Sequence, residues 1–274
     1  MVEPDLIVFL DIDGVLQPFT QERFAHIKDV PELCKELERK TNFKYRYSEW
    51  LHQPGLSPYD VAAVYYDWNL EAVSYLKRVL DETGAKIVLS SSWREMRSLL
   101  AMEALFAIHG IDGYLYDITF CATNVSWSPL RRTDSQYADD HAKYDKYLCV
   151  QKFLMEQLHS RYPTQGKWGP CVDFRTMLIL EWLDRHPNVR SYVAVDDRDL
   201  SYGLGGHFVK TYPCIDEKAF GEMMKWLEVE DGPYGLPDDC HGELLDEFRK
   251  DVLSVCEAHW KIGPDVSRLH DGRV

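Results

Sequence analysis

No two of the seven cysteines, at positions 34, 121, 149, 171, 214, 240 and 256, are spaced Cys-X-X-Cys, and their number is odd. A disulfide framework and a zinc knuckle are therefore not expected, and a reducing cytoplasm fits best. Long apolar runs are also missing. No stretch approaches the ~20 apolar residues of a membrane-spanning helix. The opening residues, MVEPDLIVFL, lack a basic segment and a cleavage site, so a secretory leader is not expected. Positive charge is in deficit: 31 Lys+Arg against 45 Asp+Glu leave a net −14. That balance argues against broad, sequence-independent coating of nucleic acid, while leaving room for a local basic groove. The ten histidines include no His-Glu-X-X-His, and neither an internal repeat nor a low-complexity segment is present.

What the chain does have is apolar and aromatic material. Of 274 residues, 45% are hydrophobic, with 8 Trp, 16 Tyr and 11 Phe. This is enough for one large domain, or a core domain with sizeable insertions.

Residues 6–10, Leu-Ile-Val-Phe-Leu, are apolar on both faces, as in a buried parallel strand. The segment DWNLEAVSYLKRVLDETG (67–84) repeats Leu70, Val73, Leu76 and Leu80 at helical spacing. Asp67 or Asn69 is placed to cap its start and Gly84 to end it. A second buried strand follows at 86–90, then a helix ending at Gly110 and a short strand within 113–120. Residues 175–186 read as an apolar helix stopped by Pro187. Residues 190–199 read as a strand ending in acids, and 206–212 as a last short strand. Strands alternating with helices indicate an α/β fold with a Rossmann-like parallel sheet and helices on both faces.

Two stretches interrupt the alternation, 18–66 and 120–172. In the first, KELERKTNFKYRYSEW (35–50) mixes Lys35, Arg39, Lys40, Lys44 and Arg46 with Phe43, Tyr45, Tyr47 and Trp50. Such a mixture suits base stacking and phosphate tracking, and equally a solvated helix face over core aromatics. The expected organisation is a domain over 1–226 carrying helical insertions at 18–66 and 120–172. An acidic linker and a helical extension packed on the core follow at 227–274.

The polar residues that matter stand at strand ends, where open α/β sheets bind their ligands. The first strand ends in Asp11 and Asp13, the second in Ser90, Ser91 and Ser92, the fourth in Asp196 and Asp197. Arg175 starts the helix between the last two. Two carboxylates ~4 Å apart repel by roughly 4 kcal/mol at an effective dielectric near 20. A cluster of four is costly unless a cation neutralises it or some of the acids take up protons. A hard, oxygen-seeking ion such as Mg²⁺ suits these ligands and keeps places for waters and a phosphate. Asp11 and Asp13 share a face while the chain is extended, and Gly14 lets it turn away. One acid can then attack in line while its neighbour handles protons. The serine turn can hold phosphoryl oxygens, and Arg175 can supply a fixed positive charge.

With these residues in place, DIDGVL resembles motif I of the haloacid dehalogenase-like (HAD) superfamily. IVLSSSWR resembles its motif II and YVAVDDRDL its motif IV. More narrowly, the SSWR turn, RTMLILEWLDRHP and VDDRDL are similar to bacterial HAD domains grouped with Swiss-army-knife RNA-repair proteins. The resemblance covers residues 6–17, 67–120 and 174–216.

It implies a Mg²⁺-dependent phosphohydrolase working through an aspartyl-phosphate. Asp11 would be the nucleophile, and Asp13 the acid–base partner whose backbone carbonyl touches the metal. Ser91, with Ser90 as the nearby alternative, would provide the motif II hydroxyl. Asp196 would bind the metal directly, with Asp197 a ligand or outer partner. The superfamily's motif III residue is usually Lys; here Arg175 stands at that place, and Lys167 is the alternative.

A phosphorylated small molecule or nucleotide is the expected substrate, with a nucleic-acid end as the second possibility. A response-regulator receiver would order its acids differently. A DxD sugar transferase would leave the Asp196–Asp197 pair and the serine turn without a purpose. A non-catalytic binding protein on the same fold is the remaining alternative.

Overall fold

In a computed structural model, the structure describes residues 4–19, 32–33, 58–95, 97, 99–120, 174–228 and 238–259. The chain divides into two compact units. One comprises Met1–Ile118, Asn188–Asp199 and Gly206–Pro233; the other comprises Thr119–Pro187, Leu200–Gly205 and Tyr234–Val274.

The first unit is built on a five-stranded sheet in the order β3-β2-β1-β4-β5. Its strands are β1 (Leu6–Leu10), β2 (Lys86–Leu89), β3 (Leu115–Ile118), β4 (Ser191–Asp196) and β5 (Phe208–Lys210). Every pairing is parallel. Parallel strands are covered on both faces, which is why Ile7, Val8, Phe9 and Leu10 are apolar without alternation and wholly buried. β1 lies between β2 and β4, so strand order reverses beside it. Such a switch point opens a crevice at the carboxyl ends of the strands.

Helix α1 (Pro58–Ala62) runs into a π-helical turn, Ala63–Asp67, and α2 (Leu70–Thr83) follows. Of the two candidate caps, Asn69 is used: its Oδ1 accepts from the Ala72 N–H at 2.9 Å. Gly84 closes the helix in the left-handed conformation at φ 74°. The apolar stripe is Ala72, Val73, Leu76, Val79 and Leu80. Leu70, expected within it, is 68% exposed. A helical side chain leans toward the preceding turn, and at the first position there is none to cover.

After β2 come a 3₁₀ turn, Ser92–Glu95, and α3 (Leu99–Ala107), shorter than the expected helix to Gly110. Helix α4 (Glu217–Glu228), which the sequence reading did not foresee, buries Ala219, Met223 and Leu227. It packs on β4 and α2, where Tyr75 meets Phe220 at 5.7 Å.

In the second unit, α5 (Phe174–Asp184) is buried around its circumference from Phe174 to Leu183. It meets α6 (Asp238–His259) through Phe174 and Phe248 at 5.9 Å, and Arg249 bonds Asp184 at 2.5 Å. Among the described residues no helix is long and apolar enough to cross a membrane. Most of the two interrupting stretches, including the basic aromatic run 35–50 and Lys167, lies outside the described residues.

Candidate metal centre

Strand register builds the site. Leu10 of β1 is level with Leu89 of β2 and Val195 of β4. One residue further along, Ser90, Asp11 and Asp196 stand in one row across three neighbouring strands. The ladder continues into that row: Asp11 N–H donates to Val195 at 3.0 Å, and Ser90 N–H to Leu10 at 2.9 Å. Residues in register on a pleated sheet project to the same face, so the two carboxylates meet without any special loop.

Oxygens of Asp11, Asp196 and Asp197 lie within 4.8 Å of one another. Asp11 and Asp196 are almost fully buried, and Asp197 is half-buried. Three ionised carboxylates at this spacing repel by about 3–4 kcal/mol per pair at an effective dielectric near 20. One donor is local: Arg198 N–H donates to Asp196 Oδ1 at 2.9 Å. An all-oxygen, strongly anionic donor set fits a hard divalent cation. The sequence reading left Asp197 open as ligand or outer partner, and the structure groups it with the other two.

Asp13, grouped with the metal ligands on sequence, directs its carboxylate elsewhere. Its Oδ2 accepts the Trp93 indole N–H at 3.1 Å. Ile12 turns the other way and is wholly buried. The chain then closes on itself, with Gly14 N–H donating to Gln17 and the Val15, Leu16 and Gln17 N–H groups donating to Ile12. Gly14 is in the left-handed region, at φ 76°. A Cβ there would stand 2.5 Å from the Asp197 Cβ, so only glycine lets the two motifs touch.

The three serines separate by role. Ser91 Oγ accepts the Trp93 backbone N–H at 3.3 Å, capping the 3₁₀ turn, while Ser92 is exposed. Ser90 Oγ is buried with no hydrogen-bond partner among the described residues. A buried hydroxyl without a partner is costly unless something polar comes to it.

Two supporting residues had not been assigned on sequence. Arg94 is buried and donates to the carbonyls of Ser90, at 2.8 Å, and Ser91. Its signal was local, a cation three and four residues beyond a strand end. Thr211, just after β5, donates its N–H to Asp196 at 3.0 Å and its hydroxyl to Gly14 at 2.8 Å. Ile215 N–H adds a bond to Val15 at 2.9 Å. Nothing local in the sequence announces Thr211, because Gly14 is 197 residues away. Cys214 in the same loop is a packing residue. Burial pushes its thiol up to about 11, away from the nucleophilic thiolate.

Arg175 is the second residue of α5 and is buried in the second unit. A family model described as the HAD domain in Swiss Army Knife RNA repair proteins matches residues 7–215. No curated protein and no solved structure matches the chain.

Proposed function

Since the chain belongs to the family of HAD domains in Swiss Army Knife RNA repair proteins, we propose that it is a Mg²⁺-dependent phosphohydrolase acting on a phosphomonoester. The single observation that carries this reading is the meeting of Asp11, Asp196 and Asp197 within 4.8 Å at the strand ends.

In the proposed reaction an Asp11 carboxylate oxygen attacks phosphorus in line, and the bond to the ester oxygen breaks. Asp13, as a carboxylic acid, gives its proton to that oxygen, and an alcohol leaves. The resulting Asp13 carboxylate takes a proton from water as the water oxygen attacks the Asp11 acyl-phosphate. Inorganic phosphate departs and Asp11 is restored. Asp11, Asp196, Asp197 and the Asp13 carbonyl would hold Mg²⁺, which when bound neutralises charge on the transferring phosphoryl group. Ser90 Oγ is our choice for the hydroxyl that donates to a phosphoryl oxygen, with Ser91 and Ser92 shaping the turn. Arg175 is assigned the fixed positive charge, and Lys167 is its competitor.

A second reading, removal of phosphate from a nucleic-acid end, draws on the RNA-repair description of the family. The net charge of −14 favours small phosphomonoesters instead. Purified protein should be screened for Mg²⁺-dependent phosphate release from phosphorylated metabolites and phosphate-ended oligonucleotides. Asp11→Asn should abolish release. Turnover equal to the parent would remove Asp11 as nucleophile, and no turnover on any ester would favour a non-catalytic binding protein. If oligonucleotide ends are the substrate, replacing Lys40, Lys44 and Arg46 should weaken binding and flatten its salt dependence.

A further inference from the structure

Asp13 must present one oxygen to the departing group while its other oxygen stays out of the way. A free carboxyl rotates, and either oxygen can carry the proton. Here Oδ2 accepts the indole N–H of Trp93 at 3.1 Å. The bond anchors Oδ2, and with it the orientation of the carboxyl.

Trp93 is itself held at every polar group and on its ring face. Its backbone N–H donates to Ser91 Oγ at 3.3 Å, and its carbonyl accepts from Arg97 at 3.3 Å. The Arg97 guanidinium lies 4.4 Å from the indole centroid and is paired with Asp60 on α1. Trp68 packs beside the ring at 6.3 Å. A tryptophan needed only to fill space would not require its N–H to meet a strand-end carboxylate. The bond joins the first two strand-end motifs, 80 residues apart.

We propose that Trp93 is the positioning residue for Asp13, orienting the acid–base carboxyl through its indole N–H, with Arg97 and Asp60 bracing the ring. The catalytic consequence rests on the phosphohydrolase reading; the bracing does not.

Trp93→Phe keeps a ring between Arg97 and Trp68 but removes the N–H. On an alkyl phosphate, whose oxygen leaves only with a proton, kcat/KM, which stops at leaving-group departure and so leaves out the shared hydrolysis of the acyl-phosphate, should fall roughly ten-fold or more. On p-nitrophenyl phosphate, whose phenolate leaves without one, it should fall less than about two-fold. Arg97→Ala should show the same split in smaller measure. Equal losses on both esters would mean that Trp93 only packs, and would overturn the proposal. Nuclear magnetic resonance gives a second reading that needs no turnover. The Trp93 indole proton, identified by its loss in Trp93→Phe, should move upfield and exchange faster in Asp13→Ala. A resonance unmoved by Asp13→Ala overturns the proposal. A moved resonance in a protein that hydrolyses neither ester supports the bracing and counts against the phosphohydrolase reading alone.

Discussion

Gly14 and Asp197, from the first and last motifs of the site, approach so closely that a single methyl would not fit between them. A Cβ on Gly14 would lie 2.5 Å from the Cβ and 2.9 Å from the Cγ of Asp197. The turn after the DxD pair is thus the floor on which the last metal-ligand candidate rests. Gly14→Ala must shift Asp197 and hold alanine at a positive φ, which alone costs about 1–2 kcal/mol. We expect a lower thermal midpoint and at least a ten-fold loss of Mg²⁺ affinity, read by calorimetry. Unchanged metal affinity would show that Asp197 is not a ligand.

On the proposed reading, the repulsion among the three buried or half-buried carboxylates is what a bound cation would relieve. Mg²⁺ should raise the thermal midpoint in a saturable way. Asp196→Asn keeps an acceptor for the Arg198 N–H and removes one charge. In chelator it should therefore be more stable than the parent, by about 1–3 kcal/mol. It should also lose most of the response to Mg²⁺. A parent and variant with the same metal response would argue against the centre.

Arg94 acts on the serine turn through its backbone. Arg94→Ala leaves the buried carbonyls of Ser90 and Ser91 without their shared donor, and a destabilisation of about 2–4 kcal/mol is expected in urea unfolding. Lysine carries one ammonium where two carbonyls need a fork, so Arg94→Lys should recover only part of this.

Stability should fall with acid below neutrality. His207 is buried between Tyr192 and Trp226, with Nδ1 on the Tyr192 carbonyl at 2.7 Å. His109 stacks on Trp68 and meets the Val64 carbonyl at 2.8 Å. Burial holds both imidazoles below their ordinary 6.5. Above pH 6.5 each is neutral folded and unfolded, and contributes no slope. As pH falls from 6.5 toward the lowered folded values, the unfolded chain binds protons that the folded one refuses, and stability is lost. His207→Phe should flatten the slope of thermal midpoint against pH between 6.5 and 5. An equally steep slope would place the titration elsewhere.

Much of this was legible from residues alone, and the reasons are local. Five apolar residues with no alternation can only be a strand covered on both faces, and DxDG at its end announces both the row of acids and the turn. Asn69 and Gly84 bracket α2 by their own chemistry. The rest was decided by partners far away in sequence. Ser91 was preferred over Ser90 by its distance from Trp93, and at that distance its oxygen accepts the Trp93 N–H while its own proton stays available to donate. Asp13 was grouped with the metal ligands because two residues of extended chain share a face. The indole that draws its carboxylate aside stands 80 residues later. Helix α4 was missed because EKAFGEMMKWLE follows a proline and opens on charged residues. Its stripe of Ala219, Met223 and Leu227 is short and emerges only against β4.

Thr211 sets a condition on synthesis. Emerging chain can pair β1 with β2 and close the Asp13–Trp93 bond early, but the Gly14 carbonyl lacks its Thr211 donor until position 211 is free of the ribosome. A chain cut short before this threonine would carry every strand-end carboxylate and still lack the clasp that ties the DxDG turn to the end of β5.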